Sequence, residues 1–119
     1  MQIVTPDPLA TVHAHAFDEV LRALVSGLAK LGIPSRLTTA PEATGESIIV
    51  VAPHRQDLDA LSALPRDTIL YTWEPMGDHG SHVMTPELMG LMTEFVIWDY
   101  SEKNIAVWRA LGADRPGHV

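Results

Sequence analysis

Glu74 sits between Trp73 and Pro75, directly after a β-prone run at 68–72. A carboxylate in that position can take a proton from a hydroxyl or grip a sugar hydroxyl, and the adjacent indole offers a stacking face. The plain alternative is a loop acid that caps a backbone amide. Asp99-Tyr100-Ser101 is placed in a similar way, ending a second β-prone run and opening a helical pattern. Ser101 reads first as a helix N-cap, a role worth about 1 kcal/mol. Asp99 either meets a ligand or favours the positive end of the helix, and Asn104 either bonds back to the cap or faces a cleft. Glu74 and Asp99 are thus the candidate catalytic groups, with His13, His54, Trp73, Tyr100 and Asn104 as candidate substrate contacts.

The histidines raise a metal reading, because imidazole and carboxylate both bind divalent metals. His13 and His15 stand two apart, and Asp78, His79 and His82 form a second group. Neither matches a defined ligand spacing such as His-Glu-x-x-His, so no metal is expected. Glycine-rich phosphate loops of the Gly-x-Gly-x-x-Gly and Gly-x-x-x-x-Gly-Lys types are missing from the sequence, as is the Gly-x-Ser-x-Gly nucleophile elbow. The segment after the first strand candidate holds Pro6 and Pro8, which lack amide donors. No cofactor is implied.

The elements that must position these groups follow from periodicity. Phe17, Val20, Leu21, Leu24, Val25, Leu28 and Leu31 recur at helical steps and predict a helix over 13–31, closed by Gly32 and Pro34. Strands are expected at 2–4, 35–39, 47–52, 68–72 and 94–98. The run Ser47-Ile48-Ile49-Val50-Val51-Ala52 reads as a strand buried on both faces. Shorter helices are expected at 57–64, at 86–92 with Thr85 as N-cap and Pro86 in the first turn, and at 101–111. Alternating strands and helices predict a three-layer, Rossmann-like α/β domain over the whole chain, with a mostly parallel sheet of about five strands. Only the seven residues 40–46 separate the second strand from the third, too few for a helical crossover. An extended return or a short antiparallel edge strand are both open. Ligands in such sheets gather beyond the carboxyl ends of the strands, which selects residues 5–13, Pro53-His54-Arg55, 73–76 and Asp99-Tyr100-Ser101.

The whole chain has 119 residues, 46% of them hydrophobic and 19% charged. That supplies a core and too little charge for disorder. Eight basic against fifteen acidic residues leave a net charge of −7. This argues against nucleic-acid or anionic-membrane partners, which require a basic face. Cysteine is absent, which removes disulfides, thiolate metal sites and cysteine nucleophiles. With no signal-like start and no long apolar stretch, a cytoplasmic location is expected.

Several strings resemble bacterial glycosyltransferases of the GT-B type that build surface polysaccharides. They are Tyr71-Thr72-Trp73-Glu74-Pro75, the following Ser81, and Val96-Ile97-Trp98-Asp99-Tyr100-Ser101-Glu102-Lys103-Asn104-Ile105. The opening His13-Ala14-His15-Ala16-Phe17-Asp18-Glu19, the strand at 48–51 and Leu111-Gly112 also fit the first half of such enzymes. The resemblance implies an acceptor-side domain, with Glu74, Asp99 and Asn104 carried over as site residues. It also implies a saccharide acceptor and a separate donor-binding half as partners. Trp73-Glu74-Pro75-Met76 departs from the Glu-Gln-type ending usual after that glutamate. The family would continue beyond Gly117-His118-Val119 into the half that binds the nucleotide-sugar, so this chain is expected to need that half for transfer. The competing expectation is a stand-alone, non-catalytic α/β accessory or interaction module.

Overall fold

A computed structural model describes residues 1–6, 18–42, 44–74, 84–114 and 116–118. In chain order the elements are β1 (Gln2–Val4), α1 (Asp18–Lys30), β2 (Arg36–Thr38), β3 (Ile48–Val51), a 3-10 turn (Pro53–Arg55), α2 (Leu58–Ser62), β4 (Ile69–Thr72), α3 (Pro86–Met92), β5 (Val96–Asp99), α4 (Glu102–Ala110) and β6 (Pro116–His118). The strands follow the order β2-β1-β3-β4-β5-β6, and every described register is parallel. This is the Rossmann-like α/β class expected, with six strands rather than about five. The sixth escapes a propensity reading because proline and glycine are poor strand formers. Its pairing opposite β5, Gly117 against Trp98, is made by tertiary structure. Among the described residues no helix is long and apolar enough to cross a membrane.

The chain divides into two compact units, Met1–Ile49 and Val50–Val119. In the first, β2 lies parallel to β1, with Ile3 opposite Leu37, so the antiparallel alternative for 35–39 is set aside. The described residues of the connection that follows form neither helix nor strand, and Gln2 holds them. This buried side chain of β1 accepts from the Glu42 amide at 2.8 Å and donates to the Glu42 carbonyl at 2.8 Å. A primary amide thus replaces the strand partner that an irregular segment lacks, which satisfies both polar groups of Glu42. The described part of the long helix starts at Asp18 and buries Leu21 and Leu28. Leu24 and Val25 are half-buried, and Leu31 is 76% exposed, so the buried stripe is narrower than the apolar pattern. Gly32, at φ 77°, closes the helix in the left-handed region.

In the second unit, β3 carries Val50 and Val51 wholly out of solvent. β4 and β5 alternate strictly: Leu70, Thr72, Ile97 and Asp99 are buried, while Ile69, Tyr71, Val96 and Trp98 are half-buried. Each helix starts where a capping side chain is available. Asp57 accepts from the Ala60 amide, Thr85 from Leu88 and Ser101 from Asn104. Helix α4 turns Asn104, Ile105 and Trp108 inward, the i, i+1, i+4 pattern of one helix face.

Candidate functional site

β4 and β5 run parallel with Thr72 opposite Asp99, so Glu74 and Asp99 both lie at the carboxyl edge of the sheet, as expected. Four of the candidate residues come together there: His54, Glu74, Asp99 and Asn104.

Asp99 ends β5 with its side chain fully removed from solvent, at 0% exposure. Its Oδ1 accepts from the Ser101 amide at 3.0 Å and from Asn104 Nδ2 at 3.0 Å, and its Oδ2 accepts from Trp108 Nε1 at 3.0 Å. Burial pushes the Asp99 carboxyl above its ordinary value; the Ser101 amide, the Trp108 indole, the Asn104 amide and the Tyr100 amide oppose that rise. A buried carboxylate needs such a set of donors, since an unpaired one is too costly to bury. Asp99 therefore holds α4 against β5.

Asn104 is buried, at 2% exposure, rather than facing a cleft. The same Nδ2 that reaches Asp99 also donates to the backbone carbonyl of Glu74 at 2.9 Å. One side-chain amide therefore joins the end of β4 to the end of β5.

Glu74 itself is the member that meets solvent, with its side chain 25% exposed. Its Oε1 lies 3.4 Å from Nε2 of His54, whose side chain is only 6% exposed. Burial lowers the His54 pKa from its ordinary 6.5; the Glu74 carboxylate works against that shift and Arg55 adds to it. The imidazole at neutral pH is therefore an uncharged dipole beside the carboxylate rather than half of an ion pair. Its Nδ1 is buried and has no hydrogen-bond partner among the described residues, and the same holds for Thr72 Oγ1 on β4.

His54 owes its position to a backbone irregularity. Ala52, buried at the end of β3, adopts φ 52° and ψ 60°, left-handed values that an L-residue with a Cβ seldom takes. Its amide still donates to the Tyr71 carbonyl at 3.1 Å, so the strand keeps its last bond before the chain turns into Pro53-His54-Arg55. Strain of this kind collects at sites where the chain must be redirected.

Trp73 contacts Tyr71 edge-to-face, ring centroids 5.3 Å apart, and Tyr71 meets Trp98 in the same manner at 6.3 Å. Tyr100 is exposed, and its amide faces Asp99. His13, His15, Asp78, His79, Ser81 and His82 lie outside the described residues. Sequence reasoning missed Trp108 and Ala52. For Trp108 a signal existed, since its four-residue spacing from Asn104 puts both on one helix face. For Ala52 there was none, because a left-handed alanine leaves no mark in composition or periodicity.

Compared with known proteins, the chain matches no family model, no curated protein and no solved structure.

Proposed function

We propose that this chain is the acceptor-side domain of a glycosyltransferase-like protein, binding a saccharide hydroxyl at Glu74. The observation that carries this reading is the solvent-reaching Glu74 carboxylate held at a strand's carboxyl end against a buried, uncharged His54. An imidazole dipole steadies a carboxylate without neutralising it, which leaves the carboxylate able to accept a proton. In a transfer step, the acceptor hydroxyl gives its proton to Glu74 while its oxygen bonds to the anomeric carbon of a sugar donor. The bond from that carbon to the donor phosphate breaks, and the nucleotide leaves with the electron pair. The donor would be held by a second, donor-binding half, because the sequence has no glycine-rich loop to cradle a pyrophosphate.

Amide chemical-shift mapping with a panel of mono- and oligosaccharides tests the reading. Shifts centred on Trp73 and Glu74 that vanish in Glu74→Gln are expected. A panel that leaves these amides unmoved at millimolar concentration overturns it. One observation favours the accessory-module alternative: of the two candidate carboxylates, Asp99 is sealed from solvent, so Glu74 alone of that pair is open to a ligand. Under that reading no saccharide binds and Glu74→Gln changes nothing.

A further inference from the structure

We infer that Asn104 is a positioning residue: through its bond to the Glu74 carbonyl it sets the Glu74 carboxylate against His54, and Asp99 in turn fixes Asn104. The inference rests on the reading of Glu74 as the working group of the site. Glu74 follows the last residue of β4 by two positions and lies outside the strand. The bond described to its carbonyl comes instead from Asn104 Nδ2 at 2.9 Å. That donor is not free to wander. It is 2% exposed, and the same nitrogen is held by Asp99 Oδ1 at 3.0 Å. Asp99 is fixed in turn by Trp108 at 3.0 Å and by the Ser101 amide at 3.0 Å. A rigid chain of bonds thus runs from the interior of α4 to the backbone of a residue whose side chain meets solvent. Ligand-orienting groups are commonly supported by such an outer layer.

The arrangement differs from an ordinary helix cap in what it acts upon. Ser101 already caps α4 by accepting from the Asn104 amide at 3.3 Å, so the Asn104 side chain is not needed for that. Its amide group instead spans two strand ends. Losing it would free the Glu74 backbone and let the carboxylate drift from its 3.4 Å approach to His54.

The test is a nuclear magnetic resonance titration of the His54 ring in the full chain, which needs no ligand. The Glu74 carboxylate raises the His54 pKa against burial, so Glu74→Gln must lower the His54 midpoint. Asn104→Ala is expected to lower it in the same direction, and to add nothing further in the Glu74→Gln background. Asn104→Ser, smaller and still polar, is read alongside as the variant more easily accommodated. An unchanged midpoint in either folded variant overturns the inference, as does an equal shift with and without Glu74. Unfolding of both Asn104 variants would assign the residue to the fold alone and overturn it equally. Failure of saccharides to bind bears only on the acceptor reading, since the titration contains none.

Discussion

The indole N–H of Trp108 donates to Asp99 Oδ2 across 3.0 Å, and neither side chain reaches solvent. This bond fastens the last turn of α4 to the last residue of β5. It also supplies one of the few donors that make a buried carboxylate tolerable. Because the acceptor is charged, the bond is among the stronger kind.

Trp108→Phe keeps an aromatic ring in place and removes the donor. It is expected to destabilise by about 2–4 kcal/mol, combining a lost bond to a charged group with a small void. Trp108 opposes the upward shift of the Asp99 pKa, so the variant's Asp99 holds its proton more tightly. The deficit should therefore shrink as pH falls toward the ordinary carboxyl range. Urea unfolding at neutral and acidic pH measures both effects. A loss under about 0.5 kcal/mol, the size of an ordinary surface change, would show the indole N–H to be dispensable.

Helix α1 separates two leucines that the apolar pattern treats alike. Leu28 is buried whereas Leu24 is half-buried. Leu28→Ala should cost about 2–4 kcal/mol and Leu24→Ala only about 1 kcal/mol, in proportion to the apolar area it keeps from water. Equal costs in denaturant unfolding would contradict the burial of this helix.

These two cases mark how far the sequence could be read. Periodicity located α1 and α2, and the capping residues Thr85 and Ser101, which placed α3 and α4, fell where the structure has them, because a cap is a local bond between near neighbours. The placement of Glu74 and Asp99 at one sheet edge followed from the parallel α/β pattern. What stayed hidden was non-local. β6 depends on pairing opposite Trp98. The connection after β2 depends on Gln2, forty positions from the Glu42 backbone it satisfies. The inward turn of Asn104 depends on the distant carbonyl of Glu74.

Glu46 gives the first unit a pH dependence. Its carboxylate accepts from Thr44 Oγ1 at 2.8 Å, from the chain's amino terminus at 3.1 Å and from Arg36 at 3.2 Å. Together these hold its pKa at about 2, down from 4.5, the Thr44 bond contributing most. A carboxyl with a depressed folded-state pKa stabilises above its unfolded value and loses that contribution as pH falls through the folded one. Glu46→Gln should therefore lower the melting temperature at neutral pH, and the difference from the parent should close between about pH 4.5 and 2. A difference that persists unchanged through that window would show that the charge is not what the three donors recognise.

Ala52 carries the last prediction, because it tests whether the turn that aims His54 is strained. At φ 52° its Cβ crowds the following carbonyl, a cost of about 1–2 kcal/mol for an L-residue. Ala52→Gly removes that crowding. It also removes a buried methyl, worth roughly 0.8 kcal/mol, and frees the unfolded chain by up to about 1 kcal/mol. The terms nearly cancel, so its stability should fall within about 1 kcal/mol of the parent. Ala52→Val has no such offset. A β-branched side chain is stiff at χ1 and is a genuine outlier at positive φ, and it would enter a site that is only 2% exposed. It should cost at least about 2 kcal/mol. It should also move the His54 ring resonances, since the residue two positions along is aimed by this turn. Thermal and urea unfolding of the pair, with ring spectra of each, checks the account. If valine is tolerated as well as glycine and the His54 signals stay in place, the backbone at Ala52 is not left-handed, and His54 is aimed by something other than this turn.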